Sequence, residues 1–424
     1  MPNYKRKRRS RFKTAPRIDK KRIKGEKSQD IEMTPYNEKP KPKSNMRVVK
    51  GKKLEQKRKF KIFSTACAIV LVVVLICQLI MPAGVLETAS NFFAVFGGGS
   101  YPIQLDSNDT INTVSKGSYY YVLTDTKINA FSNDGKIIYS YAHGYENPVL
   151  KTSRTRALVF NQGSSEGLIF SLNGLKSTIT VKEKIINAAI ADNGTYALVT
   201  TTDSYAASVS VHKKNGKQVY EWFSSEDLVN NVALSPNGKK IAVSTISSKV
   251  GQYNSKVLVL NFDSATPEYQ KEYENTVVNA FDTTSSRGFS VVTLNSFNFI
   301  SWSNFKIKEY KNEYNTVMFR AGKSGIVTVY NRENDKTDNR IAVFTGKGKL
   351  KKELNFKGII TDIALLNGQV YCISDTKAYI LGDDGKVIRS ADCGFGVVRM
   401  AILGQNTISA ITDNTIDKIK LKQE

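Results

Sequence analysis

The chain has 424 residues, with 62 Lys/Arg against 38 Asp/Glu, only 2 His and 4 Cys, and a net charge of +24. An excess of that size is the footprint of a nucleic-acid binder when it is spread over a domain, but here residues 1–61 hold 24 basic and 6 acidic groups, leaving only +6 on the other 363 residues. The partition argues against nucleic acid as the partner of the whole chain, and two histidines leave little scope for His-based metal or proton chemistry.

Residues 1–61 (Lys5-Arg6-Lys7-Arg8-Arg9, Lys20-Lys21-Arg22, Lys57-Arg58-Lys59) have almost no apolar periodicity and include Lys39-Pro40-Lys41-Pro42-Lys43. Such a segment cannot bury enough apolar surface to offset the entropy of ordering, so it reads as a disordered tail. Its first expected role is as a topology signal. Its second is contact with anionic inner-leaflet lipid, at roughly 1 kcal/mol per basic residue near the surface.

No charged residue occurs from Ile62 to Leu86. At ~1.5 Å rise per residue, the apolar run Ile62–Met81 matches the ~30 Å hydrocarbon core of a bilayer, which predicts a transmembrane signal-anchor helix over 62–82. Basic residues just before the run and Glu87 after it predict a cytoplasmic N-terminus and an extracytoplasmic C-terminal domain at the cell membrane. The run begins too far into the chain for a cleaved signal peptide, and Ile76 is too bulky for lipoprotein processing at Cys77. Residues 83–100 then read as a short interfacial helix followed by a flexible joint, Gly97-Gly98-Gly99-Ser100.

From near residue 111 to the C-terminus a unit of about 40 residues recurs. Its most regular mark is a turn before a polar strand: Asn133-Asp134-Gly135, Asn173-Gly174, Asn215-Gly216, Asp263-Ser264, Ser303-Asn304, Gly346-Lys347-Gly348 and Asp384-Gly385, with last residues 39, 42, 48, 40, 44 and 37 apart. That spacing suits four-stranded propeller blades. The second strands are short apolar runs such as Leu158-Val159-Phe160 and Val370-Tyr371-Cys372-Ile373, as expected for strands covered on both faces. The fourth strands carry charge, as in Lys349-Leu350-Lys351-Lys352-Glu353-Leu354, which suits exposed outer edges. Seven complete units run from Ile111 to Gly396, and residues 397–424 supply only three strands. Tyr101–Leu105 can supply the missing outer strand and close the ring. The predicted fold is therefore an all-β propeller over 101–424, with eight blades favoured and seven as the alternative.

Two stretches carry a resemblance. Val232-Ala233-Leu234-Ser235-Pro236-Asn237-Gly238-Lys239-Lys240-Ile241-Ala242-Val243 resembles the strand–turn–strand of WD40-like and TolB-like blades, and Asn187–Val199 is a weaker copy. The layout of basic tail, anchor and external propeller resembles an uncharacterised family of single-span clostridial membrane proteins. The resemblance implies the fold and brings no activity with it.

No His/Glu metal box, Cys-x-x-Cys pair, phosphate loop or nucleophile elbow is present, so neither cofactor nor metal is expected. The Asn/Asp-Gly turns need no calcium, because those residues accept the turn backbone unaided. Two Trp, Trp222 and Trp302, are too few for the recurring docking motif of quinoprotein propellers. His212 reads as structural, and Cys372 and Cys393 as free thiols. The longest loops between second and third strands, Ser244–Ser255, Asn331–Asn339 and Asp203–Ala207, lie on the same face as the blade-to-blade loops. They place Tyr205, Tyr253, Arg332 and Asp335 on one face with His143 and Tyr145, the candidate binding residues. The expected function is a non-catalytic binding or scaffolding module for an envelope protein or wall polymer. A glycan-acting enzyme with carboxylates in the central channel, and a sensor relaying to the tail, are the alternatives.

Overall fold

The computed structural model describes residues 51–80 and 93–423 apart from positions 108, 250, 265, 286 and 323. The predicted disorder of the tail and most of the predicted interfacial helix lie outside these residues. The helix Gly51–Ile80 begins eleven residues before the apolar run, because Lys, Leu, Glu and Gln there are good helix formers that no breaker interrupts. Its side chains Ile69–Val73 are 52–62% exposed. Among the described residues no helix is long and apolar enough to cross a membrane.

Residues 103–423 form an eight-bladed β-propeller in which every strand pair is antiparallel. Blades 1 to 7 each contain four consecutive strands, from Thr110–Ser115 as the inner strand of blade 1 to Val387–Asp392 as the fourth strand of blade 7. Blade 8 takes its inner three strands from Arg399–Gly404, Thr407–Ile411 and Thr415–Lys420, and its outer strand from Ile103–Gln104. The closing register is Ile103↔Ile416 and Gln104↔Thr415. It is held by Leu105 N–H donating to Asn414 O at 2.7 Å and by Ile103 and Leu105 buried against Tyr120, Phe131 and Ile411. A further strand, Lys422–Gln423, pairs with Arg389 and Ser390 on the outer edge of blade 7.

Second strands are buried along most of their length, wholly so in Tyr119–Thr124 and Gly288–Thr293, because neighbouring blades cover both faces. Outer strands such as Leu350–Lys357 alternate exposed with buried residues. The core is thus a set of apolar seams between blades. The seam between blades 3 and 4, for example, packs Val199, Val209 and Val211 against Val232, Ile241 and Val243.

The inner strands break the simple strand pattern. Six of them, among the described residues, carry one extra residue near their start, at Ile111, Ile186, Asn230, Asn279, Val317 and Thr361. A bulge leaves backbone groups outside the ladder, and adjacent blades satisfy several of them. Gln162 Nε2 donates to Ile186 O at 2.9 Å, Asn187 Nδ2 to Asn230 O at 2.7 Å, and Asn230 and Asn231 Nδ2 to Val278 O at 2.8 and 3.0 Å. At the ring closure, between blades 8 and 1, Arg399 Nη2 donates to Ile111 O at 3.1 Å. Asp362, 2% exposed, accepts from Arg320 Nη2 at 2.8 Å, Ile363 N at 3.0 Å and Met400 N at 2.9 Å, so it ties blades 6, 7 and 8 together.

The predicted flexible joint is docked instead. Lys136 Nζ donates to Ala94 O at 3.0 Å and Phe96 O at 2.6 Å, and Ala94 and Val95 pack on the core of blades 1 and 2. A Cβ on Gly99 would stand 2.1 Å from the Gly135 carbonyl carbon, so this glycine serves close backbone approach.

Candidate functional site

An antiparallel meander sends its second-to-third connection and its exit to the next blade to the same end. The loop face so defined carries most of the propeller's exposed large apolar side chains. Tyr205, Leu294, Ile359 and Phe395 lie in its loops, Tyr253 is at a hairpin tip, and Phe223, Leu228 and Val317 are at the adjoining strand ends. The four others, Ile137, Leu175, Leu350 and Ile388, are first or second residues of outer strands. Among the described residues none is in a turn between an inner and a second strand. Phe395, 89% exposed, is held out between Gly394 and Gly396, whose φ values of +78° and +76° keep the chain off the blade.

Two arms rise from this face. The segments expected to be the loops Ser244–Ser255 and Asn331–Asn339 are for the most part paired strands. Blade 4 runs Lys240–Lys249 against Gln252–Asn261, ten residues each, and blade 6 runs Gly325–Arg332 against Asp335–Phe344. Blade 5 between them has a second strand of six residues, Gly288–Thr293. Four extra residues at ~3.3 Å each lift the blade 4 arm by roughly 13 Å, leaving a notch floored by blade 5 and its exposed Leu294. The loop entering blade 5 braces the first arm, and the end of blade 6 with the loop leaving it braces the second. Asn254 Oδ1 accepts from Asn275 N at 2.9 Å and Ser255 Oγ from Val278 N at 3.1 Å. Asn339 Nδ2 donates to Phe356 O at 3.1 Å and Gly358 O at 2.6 Å.

The six candidate residues fall into two groups. Tyr205 and Tyr253 are 47% and 59% exposed, and Tyr205 packs on Phe223 with ring centroids 4.8 Å apart. Arg332 is exposed and anchored to Tyr314, with Nη2 donating to its hydroxyl at 3.0 Å, and Arg340 stacks on the same ring at 4.5 Å while pairing with Glu313 at 2.9 Å. Asp335 is exposed, but its Oδ1 accepts from Thr337 N at 2.9 Å and Oγ1 at 2.6 Å. These bonds hold its pKa below the usual carboxylate value and make it the residue that closes the arm's turn.

His143 and Tyr145 do not join that surface. His143 is buried, with Nε2 at 3.2 Å from Thr124 O and Nδ1 accepting from Tyr145 N at 3.0 Å. Burial lowers its pKa, so the neutral ring pins the blade 1–2 loop. Tyr145 is in the core of blades 1 and 2, and burial raises its pKa to about 12. Sequence reasoning placed both on the correct loop but not their side chains, since loop position alone does not say which way a ring turns. Tyr314, Arg340 and Phe395 were missed. The glycines on either side of Phe395 were the legible signal, because an aromatic bracketed by two such residues cannot fold back easily onto its own strand.

Cys372 and Cys393 are free. Burial lifts Cys372 to about 12 and Cys393 to about 11, so both stay protonated and unreactive at neutral pH. Among the described residues no three His, Cys, Asp or Glu side chains converge as a metal site would need.

The fold and its loop face define an eight-bladed, WD40-like β-propeller. The chain belongs to the family of unknown function DUF5711, whose profile matches residues 100–421. No curated protein matches it. Among solved structures it is similar to the C-terminal WD40 domain of Sif2, at 10% identity and TM-score 0.53, over 77% of this chain and 100% of that one. It is also similar to the dihydro-heme d1 dehydrogenase NirN, at 9% identity and TM-score 0.50, over 76% and 77% of the chains. BamB from Moraxella catarrhalis shares 11% identity at TM-score 0.47, over 76% and 99%. At these identities the likeness is one of fold alone.

Proposed function

We propose that the propeller is a non-catalytic binding module that engages an envelope protein or wall polymer through its loop face. The observation that carries the reading is the uneven distribution of exposed apolar side chains, which gather on the face that bears both arms. Exposed apolar groups set among polar ones on a rigid scaffold are the composition of recognition surfaces, and Tyr and Arg are frequent energetic anchors in them. The notch over blade 5, walled by the arms bearing Tyr253 and Arg332, is the proposed centre of contact.

In this reading the propeller stands outside the cell, tethered by a signal anchor at 62–82. The charge-free run Ile62–Leu86 and the +18 segment before it support that placement, and the basic segment can also lie against anionic lipid. A reporter active only in the cytoplasm, fused after Glu424, is expected to be silent, and strong activity would overturn the orientation. For the interface, the full chain and a Tyr205→Ala/Tyr253→Ala/Arg332→Ala variant are used to capture partners from envelope extracts. The variant is expected to fold with unchanged stability and to lose the principal partner. Full recovery of the same partner would place the interface off the loop face.

A further inference from the structure

The two faces of the propeller carry opposite charge. Connections from first to second and from third to fourth strands end opposite the loop face, and among the described residues they hold 13 Lys/Arg against 6 Asp/Glu. The connections of the loop face hold 2 Lys/Arg against 13 Asp/Glu among the described residues. On the turn face, four of the six acids are answered by a basic neighbour: Asp192 by Arg154, Glu268 by Lys240, Asp383 by Lys352 and Asp384 by Lys386. Lys213, Lys214, Lys217, Lys347 and Lys349 stay exposed on it, since Asn-Gly and Gly-rich turns leave their flanking side chains in solvent.

The chain enters the propeller on this same face. Lys136, in the third-to-fourth turn of blade 1, holds Ala94 O and Phe96 O, and Gly99 abuts Gly135 of that turn. Beside this entry Phe93 and Phe96 are 70% and 56% exposed, with ring centroids 6.4 Å apart. Exposed aromatic rings next to an excess of Lys and Arg are the composition of surfaces that lie in the headgroup layer of a bilayer. The acidic loop face is repelled by such a layer, so the two charge patterns turn the ring in the same sense.

We propose that the turn face lies on a bilayer bearing anionic lipid, with Phe93 and Phe96 at the headgroup level and the loop face pointing away from the membrane. This rests on the tether proposed above. The loop face takes no part in the contact, so partner capture there and this docking can fail separately.

The two tryptophans supply a reporter. Trp302 is in the third-to-fourth turn of blade 5, packed on Phe289 at 4.6 Å, and Trp222 is on an outer strand. The full chain carrying Trp222→Phe, with Trp302 as sole donor, is mixed with vesicles containing a trace of dansyl-headgroup lipid, in phosphatidylcholine alone or with phosphatidylglycerol. Energy transfer is expected to be roughly twofold or more higher with phosphatidylglycerol and to return to the phosphatidylcholine value in high salt. Adding Lys213→Gln/Lys214→Gln/Lys217→Gln is expected to lower that gain. The same charge change on the loop face, Lys182→Gln/Lys184→Gln/Lys336→Gln, is expected not to lower it. The basic N-terminal segment is the same in every chain, so differences between the variants report the propeller. The unmodified chain gives the same lipid dependence if a variant misfolds, and flotation with phosphatidylcholine vesicles tests the tether separately. Equal transfer in the two lipids, or equal loss in the two triple variants, would overturn the docking. A change in Trp302 emission with soluble polyphosphate and none with phosphatidylglycerol would also overturn it, assigning the face to an anionic polymer instead.

Discussion

The two halves of the ring are stitched by different chemistry. Between blades 2 and 5 the inner strands are joined by neutral amides, Gln162, Asn187, Asn230 and Asn231, each donating to a carbonyl at or beside a bulge in the next blade. From blade 6 round to blade 1 the same task falls to ions, Arg320 on Asp362 and Arg399 on Ile111 O. A neutral stitch costs little to bury and fails gently. An ionic one concentrates several bonds on one atom group, and its loss strands charge and buried N–H groups together.

The seam between blades 8 and 1, at the end of the ionic half, breaks the ring most completely. A chain beginning at Asp109 lacks the closing strand, whose Ile103 and Leu105 are buried. Each buried side chain is worth about 1.5–3 kcal/mol, and an open strand edge is left behind. Compared with a chain beginning at Tyr101, a loss of about 5 kcal/mol or outright aggregation is expected in chemical denaturation. Equal stability would show that the two-residue pairing is dispensable.

Within the two halves, Asp362→Ala and Asn187→Ala sharpen the contrast. Asp362→Ala removes the acceptor of three donors and is expected to cost about 3–5 kcal/mol. Asn187→Ala loses bonds to Asn230 O and Ala188 N and is expected to cost about 1–2 kcal/mol. Urea titrations measure both, and equal costs would erase the distinction drawn between the halves.

The smallest effect concerns pH. Lys116 releases its proton near pH 8 in the folded chain against a reference value of 10.5. Between those values the unfolded chain binds more protons, so this group makes stability rise as pH increases from about 8. The negative charges of Asp282 and Asp192 moderate the shift. Buried tyrosines such as Tyr273, raised well above the usual phenol value by burial, oppose the trend only near and above pH 10. The melting temperature of wild type relative to Lys116→Met is expected to rise from pH 7 to pH 9. A constant difference would place the amine in open solvent.

Much of the blade architecture was legible because its signals are local. Asn-Gly and Asp-Gly turns tolerate the required positive φ, second strands are apolar runs, and the three-stranded remainder called for a strand from residues 101–105. The arms were read as loops because Ser244–Ser255 is mostly polar, with Ile246, Val250 and Tyr253 at no strand-like period. A solvent-exposed hairpin needs only cross-strand pairing and no buried face, so hydrophobic periodicity is silent there. The joint at Gly97–Ser100 looked flexible because glycine's freedom is visible in sequence while its close approach to Gly135 is not.

The sequence by itself determined the repeat, the blade count favoured and the outward gradient of polarity, since these follow from residue types a few positions apart. Only the tertiary structure decided where the inner strands bulge, that His143 and Tyr145 turn inward, and that Asp362 ties blades 6, 7 and 8 together. The first depends on which carbonyl a neighbouring blade can satisfy. The second depends on seams built by two blades at once, and the third on the order of blades in the ring, which sets Arg320 and Met400 on either side of Asp362.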